Sequence, residues 1–208
     1  MDELKPGIWH WTTFRETIGQ DVSSYWIEPA GVVIDPMVPP DVGLDWFAGR
    51  DTQPQQVVLT IGLHWRESEE FAERFGIRVR APRAALERYE GTDRDPEPYE
   101  AGDEIAPGVT AVEVGAIAPD ETALFIDHSG GAVSIADGLT RADGGGPLSF
   151  MPDFLLGDDP EKVRDGLRDS FRGLLTRDWD TLLLAHGAPV VGDGRKALDG
   201  LLDAPDAR

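Results

Sequence analysis

Residues 181–187 read Thr-Leu-Leu-Leu-Ala-His-Gly and place a histidine, His186, directly after a continuous apolar run. Such a run predicts a β-strand that is buried on both faces. Polar residues where a buried strand meets a loop are common ligands and catalysts, because the sheet fixes their position. His186 is therefore a candidate functional residue, although a histidine that only hydrogen-bonds at a strand end fits the same pattern.

The segments on either side of this strand carry helix signals. Pro160–Leu175 has an apolar stripe at helical spacing, with Asp159 as N-cap and Pro160 in the first helical position. A shorter helix is predicted at about residues 195–202. Strands and helices that alternate in this way are typical of layered α/β folds.

A second predicted strand, Ala132–Ala136, ends directly before Asp137. The Asp137 carboxylate can bind a metal ion or cap a turn. Asp137 and Gly138 also form an ordinary turn dipeptide, so the position alone indicates little. Two more strands are predicted at about 109–114 and 122–127, and their short connections favour antiparallel pairing.

The first half of the chain is predicted to contain short strands and one clear helix. Tyr25–Ile27 and Gly31–Asp35 are two apolar runs separated by a short turn, which predicts a hairpin. Asp35, at the end of the hairpin, is expected to hydrogen-bond neighbouring backbone amides. Gln56–Thr60 is another buried strand, and Ser68–Phe75 is predicted to be helical.

His64 lies between the strand at 56–60 and the helix at 68–75. Strand-to-helix loops often carry ligands, but a histidine next to Trp65 fits packing against the indole equally well. The chain has four histidines. His10, between two tryptophans, and His128, in a turn between strands, are expected to take no part in function.

Composition limits the classes of function. The chain has 208 residues, no cysteine and a formal net charge of −20. The length fits one domain over residues 1–208, and the lack of thiols excludes cysteine-ligated metals and thiolate catalysis. A chain with this much negative charge repels phosphate backbones and anionic lipids. Binding to nucleic acid or to membranes is therefore not expected. No apolar run reaches ~18–20 residues and the N-terminus is unlike a signal peptide, so a cytoplasmic protein is expected.

The order of these pieces resembles the metallo-β-lactamase-fold superfamily over about residues 25–202. The hairpin that ends at Asp35 is similar to the family's opening strand pair. Residues 57–60 are similar to the strand that precedes its H-x-H-x-D-H metal motif. Asp137 and His186 match the strand ends that supply the family's bridging aspartate and last histidine. The resemblance implies an α/β fold, a four-layer αββα sandwich.

The metal motif itself departs from the family's pattern. Aligned without a gap on Thr60, its ligand or base positions fall on residues that offer no metal ligand: Ile61, Leu63, Trp65 and Arg66. Shifted by one residue they fall on Gly62, His64, Arg66 and Glu67, which recovers one histidine and one carboxylate. The family's third histidine, expected near residues 114–119, is missing. A two-metal centre is therefore not expected.

Two functions remain open. In the first, the protein is a diverged, metal-free member of the family: Arg66 pairs with Asp137 in place of an ion, and a small molecule binds in the old cleft. In the alternative, His64, Asp137 and His186 bind a single zinc or iron ion and the protein hydrolyses an ester, lactone or thioester, with Glu67 as general base. No other cofactor and no oligomeric state is indicated.

Overall fold

The first hundred residues build a mixed sheet of seven strands that lie side by side in sequence order. A computed structural model describes residues 1–142 and 145–204 of the chain. Neighbouring strands from β1 to β4 are antiparallel, and those from β4 to β7 are parallel. The strands are β1 (Asp2–Lys5), β2 (Ile8–Arg15), β3 (Gln20–Ile27), β4 (Val32–Ile34), β5 (Gln56–Val58), β6 (Arg78–Pro82) and β7 (Glu97–Tyr99).

The remaining strands form a five-stranded sheet and a small hairpin. The sheet has the order β14-β11-β10-β9-β8, with only the β11–β14 pair parallel. Its strands are β8 (Glu104–Ala106), β9 (Val109–Glu113), β10 (Thr122–Ile126), β11 (Ala132–Ile135) and β14 (Thr181–Leu184). The separate hairpin pairs β12 (Leu139–Arg141) with β13 (Leu148–Phe150).

The described residues contain four α-helices and four short 3-10 helices. The α-helices are α1 (Asp45–Ala48), α2 (Ser68–Phe75), α3 (Pro160–Leu174) and α4 (Gly194–Asp203). The 3-10 helices are Glu28–Ala30, Gly62–Trp65, Arg83–Tyr89 and Asp153–Leu155. The Asp159 side chain caps α3 by accepting from the Lys162 amide, as its sequence predicts. No helix within the described ranges combines the length and the apolar character that crossing a bilayer requires.

The two sheets face each other, and helices cover their outer sides. Ile34 and Val58 of the first sheet pack in one buried cluster with Leu124 of the second, so this cluster fills the space between the sheets. The alternate residues of the first sheet, such as Val33, pack outward against helices α1 and α2. The outer face of the second sheet packs against α3 and α4, for example through Phe171. The predicted αββα sandwich is thus confirmed, and strands buried on both faces explain the continuous apolar runs.

Two hydrogen-bonded contacts tie the sheets together next to His186. The buried Tyr25 hydroxyl donates to the Leu184 carbonyl at 2.7 Å and accepts from the Leu184 amide at 2.9 Å. The Ser23 amide donates to the carbonyl of Ala185 at 2.9 Å. The end of β14 is therefore fixed against β3 of the other sheet.

Most predicted elements agree with the structure, and the strands that were not predicted include the eight-residue β2 as well as polar or very short strands. The hairpin Tyr25–Asp35 pairs with Tyr25 opposite Ile34, and the helix Ser68–Phe75 has its predicted bounds. Strand β1 carries no clear sequence signal because it is polar and partly exposed. Strands β12 and β13 have only three residues each, too few for an alternating pattern to stand out.

Gly187 is a position where the fold has little tolerance for a side chain. Its φ is 93°, and a Cβ atom there would overlap the backbone of Arg141. Gly192 has a similar φ of 84°, but a Cβ atom there would meet nothing within 4 Å. We expect Gly192→Ala to lower the free energy of unfolding by about 1 kcal/mol. Gly187→Ala is expected to lower it by about 2 kcal/mol more than Gly192→Ala does. Urea unfolding measures both values, and equal losses would contradict the predicted overlap.

Candidate metal site

Three of the side chains selected from the sequence meet where strands of the second sheet end. Asp137 follows β11, His186 follows the parallel strand β14, and His64 reaches them from the 3-10 helix after β5. The Nε2 atoms of His64 and His186 each lie 3.1 Å from Oδ1 of Asp137. One ligand atom from each residue lies within 4.8 Å of the other two, close enough for a shared ion. We call these three residues the His-Asp-His cluster.

Asp35 fixes His64 from the side away from Asp137. The buried Asp35 carboxylate lies 2.9 Å from Nδ1 of His64 and accepts from the amide of Thr60 at 2.8 Å and from the Thr60 hydroxyl. Asp35 was expected to bond amides beside it in the chain, but the amide it accepts from belongs to Thr60, 25 residues away, and it also holds an imidazole, which the sequence did not indicate. A carboxylate behind a histidine fixes the ring orientation and is the usual second partner of a metal-ligating histidine.

The charges of the cluster are mutually stabilised. Burial alone would raise the pKa of Asp137, but His64 and His186 outweigh it and hold this pKa well below its usual range. Burial and the nearby Arg66 act to lower the pKa of His64, but Asp137 and Asp35 outweigh them and raise it. Asp35 is likewise held ionised, because the charges of His64 and Arg66 outweigh its burial and lower its pKa.

Glu121 supports the backbone of Asp137 from behind. Its Oε1 atom accepts from the amides of Asp137 at 3.0 Å and Gly138 at 2.8 Å, while its buried Oε2 has no hydrogen-bond partner among the described residues. Burial and the charge of Asp137 raise the pKa of Glu121 to about 7. No sequence signal singles out Glu121, because an Asp-Glu pair before a strand is typical of an exposed turn.

The structure corrects the expected role of Arg66. Its Nη1 atom donates to the carbonyl oxygens of Ser23 and Asp35, both at 2.6 Å. Arg66 and Asp137, both of which the structure describes, form no ion pair, so the predicted salt bridge is wrong. The backbone of Arg66 has φ of 46°, a turn that directs the side chain toward β3. Its buried charge still acts on Asp137 through space.

Glu67 also lies elsewhere than its predicted role requires. Its Oε2 atom accepts from the amide of Val38 at 2.5 Å, and its own amide donates to the carbonyl of Pro36 at 3.0 Å. Glu67 therefore fixes the loop after Asp35 instead of facing the His-Asp-His cluster. A direct role as general base or spare ligand is not supported by this geometry.

The other two histidines lie outside the cluster, as expected. His10 stacks on Tyr25 and lies 3.0 Å from the Ser23 hydroxyl. Burial lowers the pKa of His10 to about 4. The ring of His128 lies 2.9 Å from the carbonyl of Pro107 in an exposed turn.

The His-Asp-His cluster forms the floor of an open cavity of about 360 Å³. This volume falls in the range of about 300–1,000 Å³ that small-molecule sites occupy. Seven other described residues line the cavity, and we call them the site cavity walls: Arg15, Ile18, Gln20, Leu63, Ile117, Met151 and Leu155. A small molecule in this cavity would lie directly against the two imidazoles and the carboxylate.

Comparison with known proteins points to one family. A family model described as the metallo-beta-lactamase superfamily matches residues 1–204. No curated protein sequence matches the chain. Many solved structures share the fold, and the low sequence identities of those compared, 20% or less, make them evidence for the fold alone.

Three of these structures illustrate the similarity. A metallo-beta-lactamase family protein from Thermus thermophilus is 15% identical, with a TM-score of 0.67 over 96% of this chain and 79% of its own. A metallo-beta-lactamase from Pontibacter korlensis is 14% identical, with a TM-score of 0.66 over 97% of each chain. TTHA1623, crystallised in a di-iron-bound form, is 20% identical, with a TM-score of 0.65 over 87% of this chain and 94% of its own.

Removal of the Asp35 charge tests the pairing behind His64. Because Asp35 is one of two carboxylates that raise the pKa of His64, Asp35→Asn is expected to lower that pKa in the metal-free protein. Imidazole ¹⁵N–¹H NMR titration measures it. Asp45, which pairs with Arg74 on the surface, provides the control variant Asp45→Asn, for which no change is expected. An unchanged pKa in Asp35→Asn would mean that Asp35 does not hold the ring.

Proposed function

The chain belongs to the metallo-beta-lactamase superfamily, and from that premise we propose that it is a hydrolase with a single metal ion. In this proposal His64, Asp137 and His186 hold one zinc or iron ion. The substrate is a small ester, lactone or thioester. The observation that carries the proposal is the convergence of three ligand atoms on the floor of an open cavity.

The donor set fits such an ion. Two imidazole nitrogens and one carboxylate oxygen suit zinc or non-haem iron, and three protein ligands leave room for water and substrate. The Asp35 contact supports the fit, because it keeps the proton of His64 on Nδ1 when Nε2 serves as a ligand. Glu121 supports it too, since it fixes the backbone from which Asp137 projects.

A second ion does not fit the residues around the cluster. Gly62 and Arg66 stand at positions where the family's motif has metal ligands, and neither binds a cation. The Arg66 guanidinium is buried and also carries a positive charge close to Asp35. That charge opposes a second cation in the same place. The proposed centre is therefore mononuclear.

In the proposed reaction the ion would supply positive charge, and residues of the chain would position the ligands and the substrate. A bound divalent ion would supply positive charge, which polarises a carbonyl group and lowers the pKa of water toward ~7. Asp35 holds the His64 ring in place, and Glu121 does the same for the Asp137 backbone. The apolar members of the site cavity walls, such as Leu63 and Met151, would bury the apolar part of a substrate.

A metal-free binding protein is the second candidate, and one observation favours it. Oδ1 of Asp137 lies within hydrogen-bond distance of both imidazoles, so the three residues are held together without an ion if His64 is protonated. Only the buried Nδ1 of His186 then has no hydrogen-bond partner among the described residues. The raised pKa of His64 is consistent with that state. In this case the cavity binds a small molecule without hydrolysing it.

Metal analysis separates the two candidates. We expect the protein, purified without added metal and dialysed against zinc, iron or manganese, to keep about one ion per chain by elemental analysis. His186→Ala is expected to lose the ion because it removes one of three ligands, whereas His128→Ala, at an exposed turn, keeps it. If no ion remains on the unmodified protein, the hydrolase is rejected and the binding protein is supported.

Activity is the second measurement. The ion-loaded protein is expected to hydrolyse at least one of a p-nitrophenyl ester, a lactone and an acyl thioester. His186→Ala is expected to lose this activity, and His128→Ala to retain it. A loaded protein that cleaves none of these bonds would contradict the hydrolase even if the ion is present.

A further inference from the structure

The site cavity walls concentrate exposed apolar side chains around the His-Asp-His cluster. Seven large hydrophobic side chains are strongly exposed among the described residues, and three of them, Ile18, Leu63 and Leu155, line this cavity. They are 46%, 52% and 50% exposed, respectively. Such side chains grouped around a concave site mark a surface that is covered by an apolar ligand.

One wall residue, Arg15, is a cation. Arg15 is the last residue of β2, opposite Gln20 on β3. No carboxylate among residues 1–142 and 145–204 forms an ion pair with it. Among the described residues that line the cavity, Asp137 supplies the one carboxylate, and both imidazoles already contact it. The charge of Arg15 is therefore available to a ligand.

The charges around Arg15 also favour an anion there. The buried Arg66 adds a second positive charge near Arg15, and the two repel each other. An anion bound at Arg15 would relieve that repulsion. A guanidinium at the edge of an apolar cavity matches a carboxylate, which it can bind through two parallel hydrogen bonds.

We propose that the site cavity binds small amphipathic carboxylates: the carboxylate pairs with Arg15, and the apolar chain packs on Ile18, Leu63 and Leu155. This inference rests on the proposed function in that it names the substrate class of the same site. The substrate is then an ester or thioester with a free carboxylate on an apolar chain. Hydrolysis consumes one water and yields a second carboxylic acid and an alcohol or thiol.

Binding to the metal-free protein tests the ligand class without any reaction. Hexanoate and hexan-1-ol are the probes, because they share an apolar chain and differ in charge. Titrations followed by ¹⁵N–¹H NMR measure both dissociation constants. We expect the protein to bind hexanoate about five- to tenfold more tightly than hexan-1-ol, and Arg15→Gln to remove that difference without weakening hexan-1-ol. Arg172→Gln, an exposed arginine on α3, is the matched control and is expected to change neither constant.

A second variant tests the apolar part. Leu155→Ser is expected to weaken both probes by a similar factor of about three- to tenfold, because each loses the same apolar contact. Val191→Ser is its control, since Val191 is 44% exposed and lies outside the cavity walls. Both positions are at the surface, so neither change threatens the fold.

The outcomes are distinguishable from those of the metal analysis. Equal binding of the two probes, equal weakening of both in Arg15→Gln, or no binding of either would overturn the carboxylate proposal. A protein that takes up no ion but prefers hexanoate in an Arg15-dependent way supports the ligand class and overturns only the hydrolase. An ion-loaded hydrolase that shows no preference for the anion overturns only the ligand class.

Discussion

The site depends on the hydrogen bonds and ion pair that the buried Asp35 carboxylate makes with Thr60 and His64. Burying an ionised carboxylate lowers the stability of the folded state by several kcal/mol unless nearby charges and hydrogen bonds compensate for the lost contact with water. Thr60 and His64 supply these to the side chain, and Arg66 donates to the carbonyl of the same residue. Asp35 has φ of 45°, a conformation that non-glycine residues adopt rarely and at a cost of about 1–3 kcal/mol. One residue thus joins the end of β4, the end of β5 and the loop that carries His64.

The same charges explain why the cavity suits an anion. With His64 protonated, the formal charges of Asp35, Asp137, Arg66 and His64 cancel. In the proposed metal-loaded state a divalent ion replaces one proton, so the group gains one positive charge. The positive ion then balances the negative charge of Asp137 more strongly. Arg15, at the cavity wall, adds a further positive charge. Both effects favour a substrate with a negative charge, in a protein whose overall charge is strongly negative.

The sequence predicted the elements that carry the site better than it predicted the site itself. The strands that end before Asp137 and His186 were predicted because each is a continuous apolar run, as expected of a strand buried on both faces. The position of His64 followed from a strand-to-helix loop. The position of the Arg66 side chain could not be predicted. Arg66 has a positive φ, and no glycine or asparagine stands there to indicate such a conformation in the sequence. Glu121 contacts Asp137 and Asp35 contacts His64, which lie 16 and 29 residues further along the chain, and contacts of that range leave no local sequence pattern.

The residues around His64 fix the loop that carries it. Gly62 allows a close approach in the fold, since a Cβ atom there would meet Ala85 and the carboxylate of Asp120. That carboxylate accepts from the Gly62 amide at 3.0 Å, so a backbone hydrogen bond holds the loop before His64. Arg66 and Glu67 are likewise bound to backbone groups of the strands and loops beside them. Gly62, Arg66 and Glu67 therefore hold the loop in place through hydrogen bonds, and Asp35 orients His64 on that loop toward Asp137.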